Sequence, residues 1–418
     1  MIKLKSLVFV LLISCPLTFF AYSQTPDSLE VLIKQALENN PQIAAFYNDY
    51  KAAEYKVRVL KSLPDPTIHY TYFQENTQTR TGPQERKYGA SQKIPFPGKL
   101  HLKGKAQLKQ AKILKEQYEE AKRLIVKKVK FTFYDIFWTD KAIEITEEEK
   151  AILESLEKVV QRKYESNRTP QQDVIKAQVE LSRLIDKLYL LKQSRSSLVA
   201  KLNSILNRKT DTEVKRIEYI DEKEFTYSLD DLKIKLNSSS QQISAANLNI
   251  ERAQHEKSLA KMGYLPDFTF GFSRVEIGGG TSAHSDDGQD ALMGTVALTI
   301  PLWFDKVRAG VQEKKASLES AKKNFENTEN NLIYEVEDTF YKIITYKDII
   351  SLYKTALLPQ TKQAYQAAKT SYETGKVDFL NWLDAERILL QTRLAYYKAI
   401  IDYQKSFAYL ERIIGKDL

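Results

Sequence analysis

The chain repeats one long unit, and this duplication restricts its possible folds more than any other feature. Lys163–Asn167 recurs as Ser371–Gly375, 208 residues later. Leu63–Asp65 recurs as Leu265–Asp267 at an offset of 202, and Ile94–Pro95 recurs as Ile300–Pro301 at an offset of 206. An offset that drifts in one direction is typical of two copies with small insertions, and the period is far longer than that of a solenoid repeat. We therefore predict two repeats, at about residues 27–208 and 228–415, within one unit that spans residues 24–418.

The first 23 residues have the pattern of a secretory signal peptide. Lys3 and Lys5 form a basic start, the stretch from Leu7 to Phe20 is apolar, and small residues precede the predicted cleavage site before Gln24. The single cysteine, Cys15, also fits a lipoprotein cleavage box, so lipidation of Cys15 is the alternative. Cleavage before Gln24 would leave no cysteine, and therefore no disulfide or thiolate metal site.

Composition favours long helices in an exported protein. The 418 residues include only 14 glycines and 12 prolines, which suits helices better than an all-β fold. The formal charge is +9, but lysines and glutamates alternate along the helical segments as on a solvated surface, so binding to nucleic acid is not predicted. After the signal peptide no apolar run approaches 18 residues, so any part that crosses a membrane would consist of strands.

Each repeat contains two segments with the alternation of a β-strand. In the first repeat these are residues 67–75 and 88–94, separated by a polar loop at 76–87. In the second repeat, Phe268, Phe270 and Phe272 face one way, and a second alternating segment follows a loop at 278–290. Apolar-out and polar-in alternation over about 9–11 residues is typical of a transmembrane strand around a watery interior. The alternative is a soluble sheet that packs on helices.

Helical patterns fill the rest of each repeat. The stretch from Leu29 to Ser62 is helical with a local break at Pro41, and Lys99–Glu165 predicts one helix about 100 Å long. The following segment keeps strict three- and four-residue spacing, which predicts side-by-side helix packing, and only Arg195 interrupts its apolar residues: Val174, Ala177, Leu181, Leu184, Leu188, Leu191, Leu198, Leu202 and Ile205. Asn167 and Gly375 predict left-handed helix ends, so helical hairpins turn at 166–170 and 374–378.

Four strands require further copies of the chain. An open sheet edge is not viable in hydrocarbon, and bacterial barrels start at eight strands. An eight-stranded interior is filled by side chains, whereas small residues such as Gly89, Ser91 and Gly271 favour a wider one. We therefore predict three copies and twelve strands.

The order of elements, the duplication, the Leu-Pro-Asp starts of the strands and the Tyr-x-x-Gly tip resemble those of the TolC-like outer membrane efflux proteins. Gln92–Leu100 is most similar to the heavy-metal branch of that family, the CusC and CzcC type. The resemblance implies a mainly α fold with a four-stranded transmembrane contribution, and a homotrimer whose barrel in outer membrane lipid continues as a coiled α-barrel through the periplasm. It also implies that the helical tips meet a periplasmic adaptor protein, which links to an inner-membrane pump.

The resemblance also implies where functional residues lie. Acidic residues just after the tip narrow the periplasmic aperture in the family, and here Asp384 matches one such position while Asn381 replaces the other. In the first repeat Asp173 matches, and Lys176 replaces its neighbour. The adaptor-facing tips would contain Asn167, Arg168, Gly375 and Lys376. The alternative is that these charges lie on an ordinary exposed helix face.

Signals for an enzyme, a cofactor or a metal site are weak in this sequence. The four histidines, His69, His101, His255 and His284, do not pair at metal-ligand spacing. No phosphate-binding or dinucleotide motif stands out, so we predict no catalysis and no cofactor. The predicted function is a passive exit duct for small solutes, with metal cations as candidates. A duct for protein secretion and a periplasmic adaptor-like coiled coil are the alternatives.

Overall fold

The fold is mainly helical, with one small antiparallel sheet. A computed structural model describes residues 28–220, 224–280 and 285–418. The predictions for the signal peptide, Cys15 and His284 lie outside these residues. The first half contains α1 (Leu29–Asn39), α2 (Pro41–Lys61), β1 (Thr67–Tyr72), β2 (Gln78–Thr79), β3 (Gly82–Ile94), α3 (Lys99–Glu165) and α4 (Gln171–Ile205). The second half contains α5 (Leu229–Ser239), α6 (Gln241–Lys261), β4 (Asp267–Ile277), β5 (Ala291–Thr299), α7 (Phe304–Leu352), α8 (Leu358–Glu373) and α9 (Phe379–Ile414).

The predicted fold class is confirmed, including the break at Pro41. Asn40 ends α1 and begins α2, where its side chain accepts a hydrogen bond from the Gln42 backbone N–H at 2.9 Å and donates one to the Ile205 carbonyl at 2.7 Å. Ser240 occupies the corresponding junction between α5 and α6. The Asn40 side chain thereby satisfies backbone groups at the start of α2 and the end of α4, whereas the side chain of Ser240 makes no capping hydrogen bond.

The sheet joins the two halves through their central strands. The strands are ordered β1-β3-β4-β5, with β2 paired only to β3, and all pairs are antiparallel. Gly89 lies where three strands approach closely, since a Cβ there would come within 2.4 Å of the Phe272 carbonyl and 2.8 Å of His69 Nε2. The strands β1 and β5 form the two edges, and their outward apolar residues are exposed, as in Ile68, Tyr70 and Val296.

Two strand boundaries differ from the prediction. The first strand ends at Tyr72 rather than residue 75, and β3 begins at Gly82 inside the predicted loop. The polar run at the start of β3 is accommodated because its partner strand is polar there too. Arg86 lies opposite Glu276, with Nη1 of the arginine 3.7 Å from a carboxylate oxygen. Cross-strand charge pairing therefore replaces the alternation that sequence patterns detect.

The helices pack along the predicted seams. On α4 the residues of the seam are buried or half-buried, and Arg195, which interrupts it, donates from Nε to Asp140 Oδ1 of α3 at 2.6 Å and from Nη2 to the Val214 carbonyl at 3.1 Å. The other Asp140 oxygen accepts from the Ile217 backbone N–H at 3.2 Å. Arg195 and Asp140 therefore connect the segment after α4 to the middle of α3 through hydrogen bonds. Among the described residues, no helix is both long and apolar enough to cross a membrane.

The two long hairpins differ in one respect that the sequence analysis missed. Helix α3 is continuous, whereas α7 passes into a π-helical turn at Tyr353–Leu357 before α8. Pro359 is the second residue of α8 and has no backbone N–H to donate to the preceding turn. A wider turn accommodates such a residue within a helix. Pro359 is therefore the sequence signal for this break.

Candidate functional site: the helical tips

The two hairpin turns have the predicted left-handed ends. Asn167 has φ 57° and Gly375 has φ 75°. In each turn the following backbone N–H reaches five residues back: Arg168 donates to the Lys163 carbonyl at 2.7 Å, and Lys376 donates to the Ser371 carbonyl at 2.8 Å. This bond satisfies a carbonyl at the helix end, which a left-handed residue makes possible. Asn167, Arg168, Gly375 and Lys376 are exposed, so the tips present them to solvent.

The two hairpins contact each other just above their turns. Lys163 Nζ donates to the Tyr372 carbonyl at 2.8 Å and lies 3.9 Å from the centre of the Tyr372 ring. The Tyr372 ring packs against Trp382, with 5.2 Å between ring centres, and against Phe379. Trp382 is 4% exposed. Trp382 therefore packs between the helices of the two hairpins.

The predicted aperture residues lie in two different settings. Asn381 and Asp384 are exposed on one face of α9, opposite the buried face of Trp382. Asp173 is half-buried and accepts a hydrogen bond from Thr169 Oγ1 at 2.6 Å. Burial raises the pKa of Tyr372, and the negative charge of Asp173 adds to this rise. Asp173 thus belongs to the contact between the hairpins, whereas the side chains of Asn381 and Asp384 remain free to face a channel.

A buried pair of carboxyl groups lies close to Asp384, and the sequence analysis missed it. Glu149 of α3 and Glu386 of α9 are each 2% exposed. Burial raises the pKa of Glu386 to about 10, and the hydrogen bond to Glu149 and its negative charge act in the same direction. Two adjacent buried carboxyls cannot both ionise cheaply, so one proton is shared between them. The signal was present, because Glu386 lies four residues after Trp382 on the buried face.

The surroundings of this pair are also charged or polar. Besides Glu149 of α3, the titratable and charged groups that face Glu386 come from three helices: Glu180 and Lys187 of α4, Tyr365 of α8, and Arg387 of α9. Glu180 is engaged in ion pairs with Arg183 and Arg387, so its charge is largely compensated. Burial lowers the pKa of Lys187, while Glu386 opposes that shift. The negative charge of Glu180 adds to the rise in the pKa of Glu386 and Arg387 opposes it, but burial outweighs both and favours the protonated form of Glu386.

Metal binding is not evident at the tips. Within residues 28–220, 224–280 and 285–418, no group of three or more His, Cys, Asp or Glu side chains is arranged to hold a metal ion. Glu149 and Glu386 form a pair only, with the raised pKa of Glu386 favouring its protonated form. The chemistry available at the tips is therefore charge–charge interaction and proton binding.

Comparison with known proteins extends over both halves. Residues 32–208 and 235–416 match the family model described as outer membrane efflux protein. The outer membrane protein TolC of Vibrio cholerae serotype O1 is 22% identical over 421 residues, which cover 97% of this chain and 94% of that protein. The cobalt-zinc-cadmium resistance protein CzcC of Cupriavidus metallidurans is 23% identical over 175 residues, covering 42% of this chain and 40% of that protein. A crystal structure of CusC aligns with a TM-score of 0.80 at 16% identity, covering 94% of this chain and 93% of that one.

Proposed function

Because the chain belongs to the outer membrane efflux protein family, we propose that it is the passive exit duct of a tripartite efflux system for small solutes. Membership places it in the outer membrane, with the helical part extending into the periplasm. The observation that carries the proposal is that the family match covers both halves of the duplicated chain. We infer a duct and not an enzyme, with an adaptor protein and an inner-membrane pump as partners.

Deletion of the gene tests this function. Loss of the exit duct is expected to raise the cellular content of solutes that the pump exports, and re-expression of the chain restores export. The profile of secreted proteins should stay unchanged in the same strains. A deletion strain that retains normal export of small solutes but loses a secreted protein would favour the secretion duct.

A trimer is the assembly that best fits the sheet. The edges β1 and β5 leave a row of backbone N–H and C=O groups without strand partners in a single chain. Three copies would supply twelve long strands and remove every edge. The interior residues Gly89, Ser91 and Gly271 are small, which suits an interior wider than eight strands enclose.

Mass measurement of the detergent-solubilised protein tests the assembly. The expected result is one species with three copies of the mature chain, because any smaller number leaves strand edges or a filled interior. The protein should be purified from outer membranes in a mild detergent and measured by native mass spectrometry. An intact species with one or two copies would contradict the trimer.

The helical tips suit two proposed roles, contact with an adaptor protein and formation of the periplasmic aperture. Asn167, Arg168, Gly375 and Lys376 are exposed at the ends of the hairpins, where an adaptor protein would meet them. We propose that Asp384, with Asn381 one turn before it, faces the periplasmic aperture. We propose that Asp173, half-buried between the hairpins, also adds negative charge near this aperture.

Metal cations are candidate solutes because of the similarity to CzcC, although it covers less than half of the chain. We expect His69→Ala and His284→Ala to leave resistance to cobalt, zinc and cadmium unchanged, because an isolated histidine is a weak site. Resistance should be measured as the growth-inhibiting metal concentration, with the deletion strain as the sensitive control. Loss of resistance at normal trimer levels would reveal a metal ligand.

A further inference from the structure

An ion pair between Lys99 and Asp267 joins the two halves where the sheet meets the helices, beside a second pair between Lys93 and the same carboxylate at 3.2 Å. Lys99 Nζ lies 2.7 Å from Asp267 Oδ1 and donates to the Leu265 carbonyl at 2.8 Å. The same carboxylate oxygen accepts from the Phe96 backbone N–H at 3.1 Å. The side chains of Lys99 and Asp267 are 15% and 18% exposed, so the pair is largely shielded from water. It fixes the start of β4 from one half against the start of α3 from the other.

The duplication supplies a second copy of both partners. Asp65 corresponds to Asp267, since each ends a Leu-Pro-Asp segment. Lys306 corresponds to Lys99 at an offset of 207, which lies between the offsets of 206 at the preceding Ile-Pro pair and 208 at the tips. An offset of 206 or 208 would instead place Asp305 or Val307 there, and neither residue is a cation.

This second pair cannot form within one chain. Asp65 precedes β1 and Lys306 follows β5, and these strands are the two opposite edges of the sheet. Three strand spacings separate the edges, or about 14 Å. Both residues are exposed, and within the described parts of the chain neither forms an ion pair. Lys99 and Asp267 therefore form their ion pair within one chain, whereas Lys306 and Asp65 lie at opposite edges of the sheet.

We propose that Asp65 binds Lys306 of a neighbouring copy of this chain, so that each boundary between copies repeats the Asp267–Lys99 contact. The inference rests on the proposed trimer and specifies how its copies meet. The Asp65 carboxylate would also accept from the Leu302 backbone N–H of the neighbouring copy, because Leu302 corresponds to Phe96 at the offset of 206. The partner of each sheet edge is thus a second copy of the same chain.

The same duplication gives a register between β1 and β5 of adjacent copies. Lys93 lies opposite Thr269 within the chain, and their counterparts are Thr299 and Thr67. The register then places Leu298 opposite Ile68 and Val296 opposite Tyr70. All four of these apolar side chains are exposed and outward-facing in the single chain. A shift by one residue would place apolar residues opposite inward-facing ones, so the register agrees with the faces.

A disulfide test examines this register directly. The double variant Thr67→Cys with Thr299→Cys is expected to form covalent trimers under mild oxidation, because directly opposed strand residues lie within disulfide reach. The single natural cysteine, Cys15, lies in the predicted signal peptide. A matched control pairs Thr67→Cys with Thr295→Cys, which also faces inward but lies about 13 Å along the strand. The control should remain monomeric on non-reducing gels.

Charge reversal examines the ion pair itself. Asp65→Lys and Lys306→Asp are each expected to raise the monomer fraction in detergent about tenfold, and the double variant should restore most of the trimer. Asp305→Lys is the matched control, because Asp305 is exposed beside Lys306 and its counterpart at the same offset is Gly98, which has no side chain. This control should leave the monomer fraction near that of the unmodified chain.

The outcomes separate this inference from the proposed function. Trimers by mass, together with no cross-link between positions 67 and 299 and no rescue by the double charge reversal, would overturn the inference and leave the trimer standing. A cross-link in the Thr295 control that equals the Thr299 result would also overturn the register. A single-copy mass for the unmodified chain would overturn both the inference and the trimer.

Discussion

Replacing Asp384 by arginine is expected to change the channel from cation-preferring to anion-preferring. The side chain of Asp384 is exposed on α9 just inside the tip, and three copies in the proposed trimer would bring three carboxylates together at the aperture. A ring of like charges at a narrow place attracts ions of opposite sign. Asp384→Arg exchanges three negative charges for three positive ones where the solute passes.

The measurement is the reversal potential across a planar bilayer under a salt gradient. The cation-to-anion permeability ratio should fall by about tenfold or more and the reversal potential should change sign, because the charge acts directly on permeant ions. Asp384→Ala should give an intermediate ratio. Because Asp384 has an exposed side chain, the yield of trimer should be unchanged.

Asp186→Arg is the matched control for this experiment. Asp186 is also an exposed acid on a helix near the tips, but it is not a predicted aperture residue. Its reversal should leave the permeability ratio unchanged. If Asp384→Arg and Asp186→Arg behave alike, Asp384 is an ordinary charge on an exposed helix face.

Elements with an unbroken local pattern could be predicted closely from the sequence. Helix α3 has the predicted bounds, Lys99 to Glu165, because no proline interrupts it and its apolar residues keep helical spacing. Both tip turns were predicted because asparagine and glycine tolerate left-handed backbone. The start of β3 at Gly82 could not be predicted, because charged residues such as Arg86 enter a strand only when a distant partner such as Glu276 compensates them.

In the candidate site, too, features set by local spacing could be predicted from the sequence, whereas contacts between helices could not. The place of Asp384 nine residues after Gly375 follows from counting along one helix, and its proposed role at the aperture comes from the resemblance to the efflux family. The pairing of Glu386 with Glu149 depends on how α9 packs against α3, and local spacing does not specify which residue of α3 faces it. Helical spacing indicates only that Glu386 points inward. The energetics of the pair therefore required the structure.

Glu386→Gln is expected to stabilise the tips at neutral and alkaline pH. In the folded chain the pKa of Glu386 is about 10, raised first by burial and then by Glu149, against an ordinary value of 4.5. Between pH 4.5 and about pH 10, Glu386 keeps its proton in the folded state and releases it in the open or unfolded state. The stabilisation from this proton is therefore complete below pH 4.5 and is lost progressively as the pH rises towards the folded pKa.

The size of the effect follows from the proton that is released. Stability of the tip should fall by about 1.4 kcal/mol for each pH unit across this window, because one proton is lost on opening. Glutamine has nearly the same shape, can donate to the Glu149 carboxylate, and does not titrate. At about pH 5 the two should be similar, and at about pH 8, three pH units higher, the variant should be more stable than the unmodified chain by roughly 4 kcal/mol.

Hydrogen exchange of the amides around residues 382–390, corrected for intrinsic rates, measures opening of the tip locally. In the unmodified chain the exchange rate, after correction for the intrinsic rate, should increase as the pH rises from about 5 to about 8. In Glu386→Gln most of this increase in the corrected rate should be absent. Glu373→Gln is the matched control, since Glu373 is exposed on α8 and the same substitution there replaces a carboxyl group that is not buried. Equal pH dependence in Glu386→Gln and the unmodified chain would show that the Glu149–Glu386 pair does not hold a proton against solvent. Faster corrected exchange in the variant than in the unmodified chain at the higher pH would show that the carboxylate form stabilises the tip.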